Sequence, residues 1–418
     1  MTFRVRTDRR YIRHAYHSNR FVLVEIVAPP ARQERPRPPV NLCFVVDRSG
    51  SMSGEKLALA KLAVESSVGR LRSDDRFAIV VYDNEVDVVF PSTPATADAR
   101  RSAMARLAEI DARGSTDLGT GWLSGCRQVG EKLLLDGVNR CLLLTDGLAN
   151  QGITDHDELV RHAGELRARG VSTTTFGVGA DFDEVLLQEM STAGGGNFYF
   201  IAGAAAIADY VTSEVGEALE AVAHDVTLQV TAAPKVQVES LSPFRFERRG
   251  GRTEITLGSL VAEQVLQVVL RLSFPLGELG RETVAQVGLS DRDGALEAVA
   301  ARLAWQYADG QTNDVQERDR EVDRAVARVF AARARQEATA LNRQGAYPAA
   351  AAALSKVAKR IRGYAGSDAE LRAVVAELER DASEVAAPMP AMALKQMHFS
   401  SYASARMRTV QGRVIRDR

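Results

Sequence analysis

Between about residue 40 and residue 222 the chain alternates short, nearly continuous apolar runs with longer amphipathic stretches, and few folds satisfy both patterns at once. NLCFVVD (41–47) and NRCLLLTD (139–146) are too apolar to face water on either side, which is the condition of strands inside a parallel sheet. RFAIVVYD (76–83), VSTTTFGV (171–178) and GNFYFI (196–201) repeat the pattern. Between them, GEKLALAKLAVESSVGRLR (54–72) sets Leu57, Ala60, Leu62, Val64, Val68 and Leu71 near helical spacing, and helices are expected near 97–109 and 118–135. VDVVF (86–90) follows RFAIVVYD so closely that the two must be antiparallel, with one at a sheet edge. The expectation is an α/β domain at 40–222 built on a doubly wound, mostly parallel sheet.

The flanking sequence has a different period. HDVTLQVTAAPKVQVESLSPFRFERRGGRTEITLGSL and VLQVVLRLSFP alternate and carry turn residues without a helical repeat, so 223–310 reads as a small antiparallel β-sandwich. RYIRHAYHSNRFVLVEIVAPP reads as two strands around a Ser18–Asn19 turn and cannot join a parallel core that starts at Asn41. Residues 1–39 are therefore assigned to the sandwich plus a stiff Pro-rich linker over 31–40, and the α/β domain is inserted into it. Residues 311–387 are rich in Ala, Arg and Glu at helical spacing, interrupted by Asn342, Gly345 and Pro348, which predicts a helical hairpin or three-helix unit. Pro388 and Pro390 set off a tail, 388–418, that holds four of the eight methionines and suits either a partner surface or a core.

A length of 418 residues suits two or three domains, and 45% apolar with 26% charged residues excludes disordered, collagen-like and disulfide-scaffold classes. The 53 basic and 54 acidic residues leave a net charge of −1, with no electrostatic reason to expect nucleic acid as a partner. Neutrality hides an uneven distribution. Residues 1–20 carry six Arg and one Asp, residues 388–418 carry six Lys plus Arg and one Asp, and the body between stands at −11. MTFRVRTDRRYIRH lacks the apolar stretch of a secretory signal and no long apolar run follows, so no membrane span is expected and a cytoplasmic location is. Cys43, Cys126 and Cys141 are odd in number and widely spaced, which fits buried reduced thiols.

Chemistry concentrates in three turns. Asp47-Arg48-Ser49-Gly50-Ser51 ends the first buried strand, where open parallel sheets place their ligands. Gly114-Ser115-Thr116-Asp117 and Leu144-Thr145-Asp146-Gly147 can reach the same rim. The candidate ligands Asp47, Ser49, Ser51, Thr116 and Asp146 are two carboxylates and three hydroxyls, an all-oxygen set suited to Mg²⁺, with Mn²⁺ or Ca²⁺ as alternatives, rather than to zinc or copper. Ser51 or Ser53 could instead simply cap the following helix. Arg48, Met52, Asp117 and Asn150 are candidates for a recognition rim.

DRSGSMSG, GSTDLG and LLLTDG, in that order on strand ends, resemble the three motifs of a von Willebrand factor A domain with an intact metal-ion-dependent adhesion site. SDDRFAIVVYD and FGVGADFDEVLLQEMSTAGGGNFYFI extend the similarity over about residues 40–222, and the flanks resemble bacterial intracellular members with distant similarity to inter-alpha-trypsin inhibitor heavy chains. The resemblance implies a Rossmann-like fold. It also implies direct metal contacts from Ser49 and Ser51, direct or water-mediated contact from Thr116 depending on conformation, and mainly water-mediated roles for Asp47 and Asp146, with Asp146 binding directly in the unliganded state. The implied function is metal-dependent protein binding, in which a partner's Asp or Glu completes the coordination, in an adaptor or assembly role with an AAA-type ATPase as one partner class. The alternative is a Mg²⁺-dependent phosphoryl-transfer or hydrolytic enzyme. Against it, the chain has no phosphate-binding G-x-x-x-x-G-K-[ST] loop, no complete G-x-G-x-x-G, and no histidine in a catalytic spacing.

Overall fold

The structure is a computed structural model that describes residues 1–31, 37–296 and 299–417; residues 32–36 of the expected linker lie outside the described residues. Two compact units result, one of Met1–Ala31 with Val222–Arg418 and one within Arg32–Ala221. The chain thus passes from the first unit into the second and returns at Val222.

In chain order, β1 (Thr2–Thr7), β2 (Tyr11–Arg13) and β3 (Ser18–Val27) open the first unit. Residues 10–30 hold the two expected strands, β2 and β3, preceded by β1, but Ser18 starts a strand instead of turning a corner. Its hydroxyl accepts the Arg13 backbone N–H at 3.0 Å, which closes the loop over residues 14–17. The second unit follows with β4 (Val40–Asp47), α1 (Glu55–Gly69), β5 (Arg76–Tyr82), β6 (Val86–Pro94), α2 (Ala97–Ala108), α3 (Leu118–Gly130), β7 (Val138–Thr145), α4 (His156–Ala168), β8 (Ser172–Val178), α5 (Glu184–Ala193), β9 (Gly195–Ile201) and α6 (Ile207–Leu219). The chain then returns through β10 (Ala221–Ala232), β11 (Gln237–Ser240), β12 (Phe246–Arg249), β13 (Arg252–Val261), β14 (Val265–Phe274), β15 (Glu282–Ser290) and β16 (Val299–Ala308). It ends with α7 (Gly310–Val315), α8 (Arg320–Arg343), α9 (Tyr347–Ala365), α10 (Ala369–Val385) and α11 (Ala391–Ala405).

The sheet of the second unit has the order β6-β5-β4-β7-β8-β9, parallel except for β6 on the edge. This is the α/β sheet expected from the apolar runs, and β4 and β7 are buried along their whole length. After β4 the chain adds strands on one side, then crosses to β7 on the other. The strand order therefore reverses between β4 and β7, and their carboxyl ends open a crevice there. Helix α3 lies directly on this centre because it carries no side chain at the crossing points. A Cβ on Gly121 would stand 2.4 Å from the Tyr82 ring, and one on Gly125 would stand 2.2 Å from Val45. Cys43, Cys126 and Cys141 are buried and free, and burial pushes the Cys43 and Cys141 thiols well up.

In the first unit, sheets β1-β3-β14-β11 and β12-β13-β10-β15-β16-β2 enclose one apolar core; β1–β3, β3–β14, β14–β11, β12–β13, β10–β15 and β15–β16 pair antiparallel and β16–β2 pairs parallel. Strand β3 shows why its sequence is apolar without a gap: Val22, Val24 and Ile26 enter the sandwich, while Phe21 and Leu23 pack on Val322, Val326 and Val329 of α8. Helices α8, α9 and α10 form the three-helix unit, lined by alanines that permit close approach. Gly345, at φ +75°, lies in the first turnaround and Pro348 sits in the first turn of α9. The tail is folded into this unit: α11 packs on α8, Phe399 and Tyr402 are buried, and Val265 N–H donates to Ile415 O at 2.8 Å.

Candidate metal centre

Asp47 is the last residue of β4 and is fully buried. Its Oδ1 accepts the Ser49 backbone N–H at 2.8 Å and its Oδ2 accepts the Thr145 hydroxyl at 2.7 Å. Burial pushes its carboxyl above the usual range, against the pull of the Ser49 and Thr145 hydrogen bonds. The chain then turns through a 3-10 turn at Gly50–Met52, which carries Ser51 to the open side of the crevice while Ser49 stays buried. The two serine hydroxyls lie 3.1 Å apart, and Ser51 Oγ donates to Asp146 Oδ1 at 2.6 Å. Neither Ser51 nor Ser53 caps α1, whose N-cap is Gly54 with no side-chain bond. The capping alternative is therefore replaced by a hydrogen bond across 95 residues to the third motif.

The second motif is laid against the first by its backbone. Gly50 N–H donates to Gly114 O at 3.1 Å and Arg113 N–H to Arg48 O at 2.8 Å, while Asp117 N–H reaches Asp83 O at 2.7 Å. Gly114 has φ +69° and a Cβ there would collide with Asn84, so this junction requires glycine. Thr116 is buried beside Gly147, where an added Cβ would sit 3.2 Å from Thr116 Oγ1. The structure thus brings Asp47, Ser49, Ser51, Thr116 and Asp146 together from three loops at the strand-order reversal.

Two expected rim residues are elsewhere. Arg48 is 4% exposed because its guanidinium bonds Asp83 Oδ2 at 2.9 Å and pairs with Asp87, pinning the first motif to the β5–β6 turn. Met52 is fully buried. Asp117 caps α3 by accepting the Thr120 N–H, and Asn150 is exposed. Two residues at the site escaped the sequence reading. Thr145, adjacent to Asp146 in the third motif, is the buried donor to Asp47. Lys56, in the first turn of α1, places Nζ on Asp146 Oδ2 and 3.3 Å from Ser51 O. Its position five residues after Ser51, on the helix that the first motif leads into, was the available signal.

The donor set fits a hard divalent cation. All five donors are oxygens, two of them charged, and a positive group already rests on Asp146 in the form of the Lys56 ammonium. Tyr82, the register partner of Asp47 on β5, is fully buried, and its hydroxyl makes no hydrogen bond among the described residues. That leaves polar capacity beside the two carboxylates.

The von Willebrand factor type A domain family matches residues 41–223. Among curated proteins, the Escherichia coli (strain K12) uncharacterized protein YfbK is 28% identical over 305 residues, 70% of this chain and 52% of its own length. Human inter-alpha-trypsin inhibitor heavy chain H4 is 29% identical over 164 residues, 38% of this chain and 18% of its own length. The chain therefore spans about half of the former and a small part of the latter. The solved structure titled von Willebrand factor type A from Catenulispora acidiphila has a TM-score of 0.72 at 16% identity, covering 99% of this chain and 97% of that one. This places the shared fold across both units.

Proposed function

Residues 41–223 are a von Willebrand factor type A domain, and on that premise we propose that the protein is a metal-dependent protein-binding module whose site takes an acidic residue of a partner. Domains of this family commonly mediate protein–protein interaction through metal-dependent sites. The observation that carries the reading is the convergence of five oxygen-bearing side chains at the strand-order reversal, with Ser51 bonded to both Ser49 and Asp146.

Ser49, Ser51 and Thr116 would be the neutral donors and Asp47 and Asp146 the negative charges around them. A divalent cation such as Mg²⁺, or Mn²⁺ or Ca²⁺, would keep much of its charge there and offer a position to a carboxylate oxygen. Thr145 holds Asp47 and the Gly114 junction holds the second motif, so the donors are positioned by buried bonds before any ligand arrives. The role we infer is that of a cytoplasmic adaptor or assembly factor, with AAA-type ATPases as one partner class, and a binding site rather than a catalytic one. Among the described residues no helix is long and apolar enough to cross a membrane.

The test is calorimetric titration of Mg²⁺, Mn²⁺ and Ca²⁺ into the full chain and into Asp47→Asn, with affinity capture in metal and in chelator. The expected result is a saturable heat lost in Asp47→Asn and a partner set lost in chelator. Equal heats and identical captures in both proteins would overturn the reading.

A further inference from the structure

We propose that Lys56 is a tethered cation of this site, one that makes tight divalent-ion binding depend on the arrival of a carboxylate; the inference rests on the metal-site reading above. The Lys56 ammonium engages Asp146 Oδ2 and lies 3.3 Å from Ser51 O. A Cβ on Gly179 would stand 3.9 Å from Nζ, so the side chain also lies near the end of β8. The Asp146 side chain is 0% exposed and that of Lys56 is 32% exposed, so a half-exposed arm delivers charge to a buried carboxylate. The other Asp146 oxygen already accepts the Ser51 hydroxyl. Arg48 in the first motif and Arg113 beside the second are committed to Asp83, Arg48 also to Asp87 and Arg113 also to Glu85. Among the described residues Lys56 is the one cationic side chain bonded to any of the five candidate ligands.

Formal charge then decides what the site prefers. Asp47 and Asp146 bring two negative charges and Lys56 returns one. A divalent ion overshoots neutrality by one charge, and a partner's carboxylate restores it. Without Lys56 the two carboxylates balance the divalent ion unaided, and the added carboxylate would be surplus. In a partly buried crevice these differences are not screened away. Lys56 accordingly weakens the ion in the absence of a partner and couples its retention to an acidic ligand, which makes it a specificity-determining residue.

The test is calorimetric titration of Mg²⁺ and Mn²⁺ into the wild-type chain, Lys56→Met and Lys56→Arg at constant ionic strength, with and without excess acetate as the carboxylate probe. Lys56→Met should bind metal about tenfold more tightly without acetate, and the tightening that acetate produces in wild type should vanish. Lys56→Arg should retain the wild-type dependence. Wild-type affinity and wild-type acetate dependence in Lys56→Met, or weaker binding, would overturn the proposal. Asp47→Asn separates the two failures. If it binds metal like wild type, the metal-site reading falls; if it loses metal while Lys56→Met matches wild type, only the role of Lys56 falls.

Discussion

Thr145 at the end of β7 donates its hydroxyl to Oδ2 of Asp47 at the end of β4, 2.7 Å away and 98 residues distant in sequence. The bond spans the point where the strand order reverses, so the first and third motifs are joined inside the sheet before their side chains reach the crevice. With Ser49 N–H on the other oxygen, it aims a fully buried carboxylate from both sides.

Thr145→Val keeps the shape and removes the donor, leaving Asp47 Oδ2 short of a partner, at a cost of about 1–3 kcal/mol. Urea unfolding of Thr145→Val, Asp47→Asn and the double variant should show a non-additive pair. Additive effects would mean that the bond contributes nothing of its own.

Glu214 on α6 is fully buried and accepts from Arg140 at 2.5 Å, Thr174 at 2.8 Å, Asn197 at 2.9 Å and Tyr199 at 2.6 Å. Glu214→Gln leaves the buried Arg140 guanidinium without its countercharge, and the expected loss is about 3–5 kcal/mol. Denaturant unfolding checks it. A loss close to zero would show the network to be replaceable by neutral hydrogen bonds.

Asp75 lies where the chain enters β5, and burial alone would raise its carboxyl. The Arg37 guanidinium and the backbone N–H groups of Val40 and Arg72 outweigh that and hold it below the usual range. A depressed folded value stabilises above the unfolded one, near 3.9, and the benefit is lost as pH falls through the folded value. The stability gap between wild type and Asp75→Asn should be constant at neutral pH and close below about pH 4. Thermal unfolding across that range measures it; a gap that widens on acidification would contradict the assigned direction.

Phe399 on α11 is 1% exposed, within the basic, Met-rich segment. Phe399→Ala should cost about 3–5 kcal/mol, as a core truncation does. An unchanged unfolding midpoint would instead mark the segment as a loosely attached tail.

Much of the second unit was legible because burial on both faces of β4 and β7 leaves no polar position to break the apolar run, and helix α1 repeats its apolar residues at its own period. The first and third motif turns were legible for a related reason: each sits where such a run stops, whereas the second lies between α2 and α3. The N-terminal strands were less so. Residues 14–17 carry no strong turn signal, and the Ser18 hydroxyl that closes them acts on a backbone group five residues back. The tail was open to two readings because an amphipathic, Met-rich helix looks the same whether its apolar face meets a partner or its own chain. Arg48 looked like a rim residue from its place beside Asp47, yet the Asp83 and Asp87 carboxylates that bury it come from another turn.

The sequence by itself determined the order of strands and helices in the second unit and singled out five oxygen-bearing residues, since backbone burial and local turn chemistry are written in short windows. Only the tertiary structure decided which charges meet. Lys56 rests on Asp146, Arg48 on Asp83, and Thr145 on Asp47 across separations of 35 to 98 residues. Those pairings depend on which strands lie side by side, and local periodicity carries no information about that order.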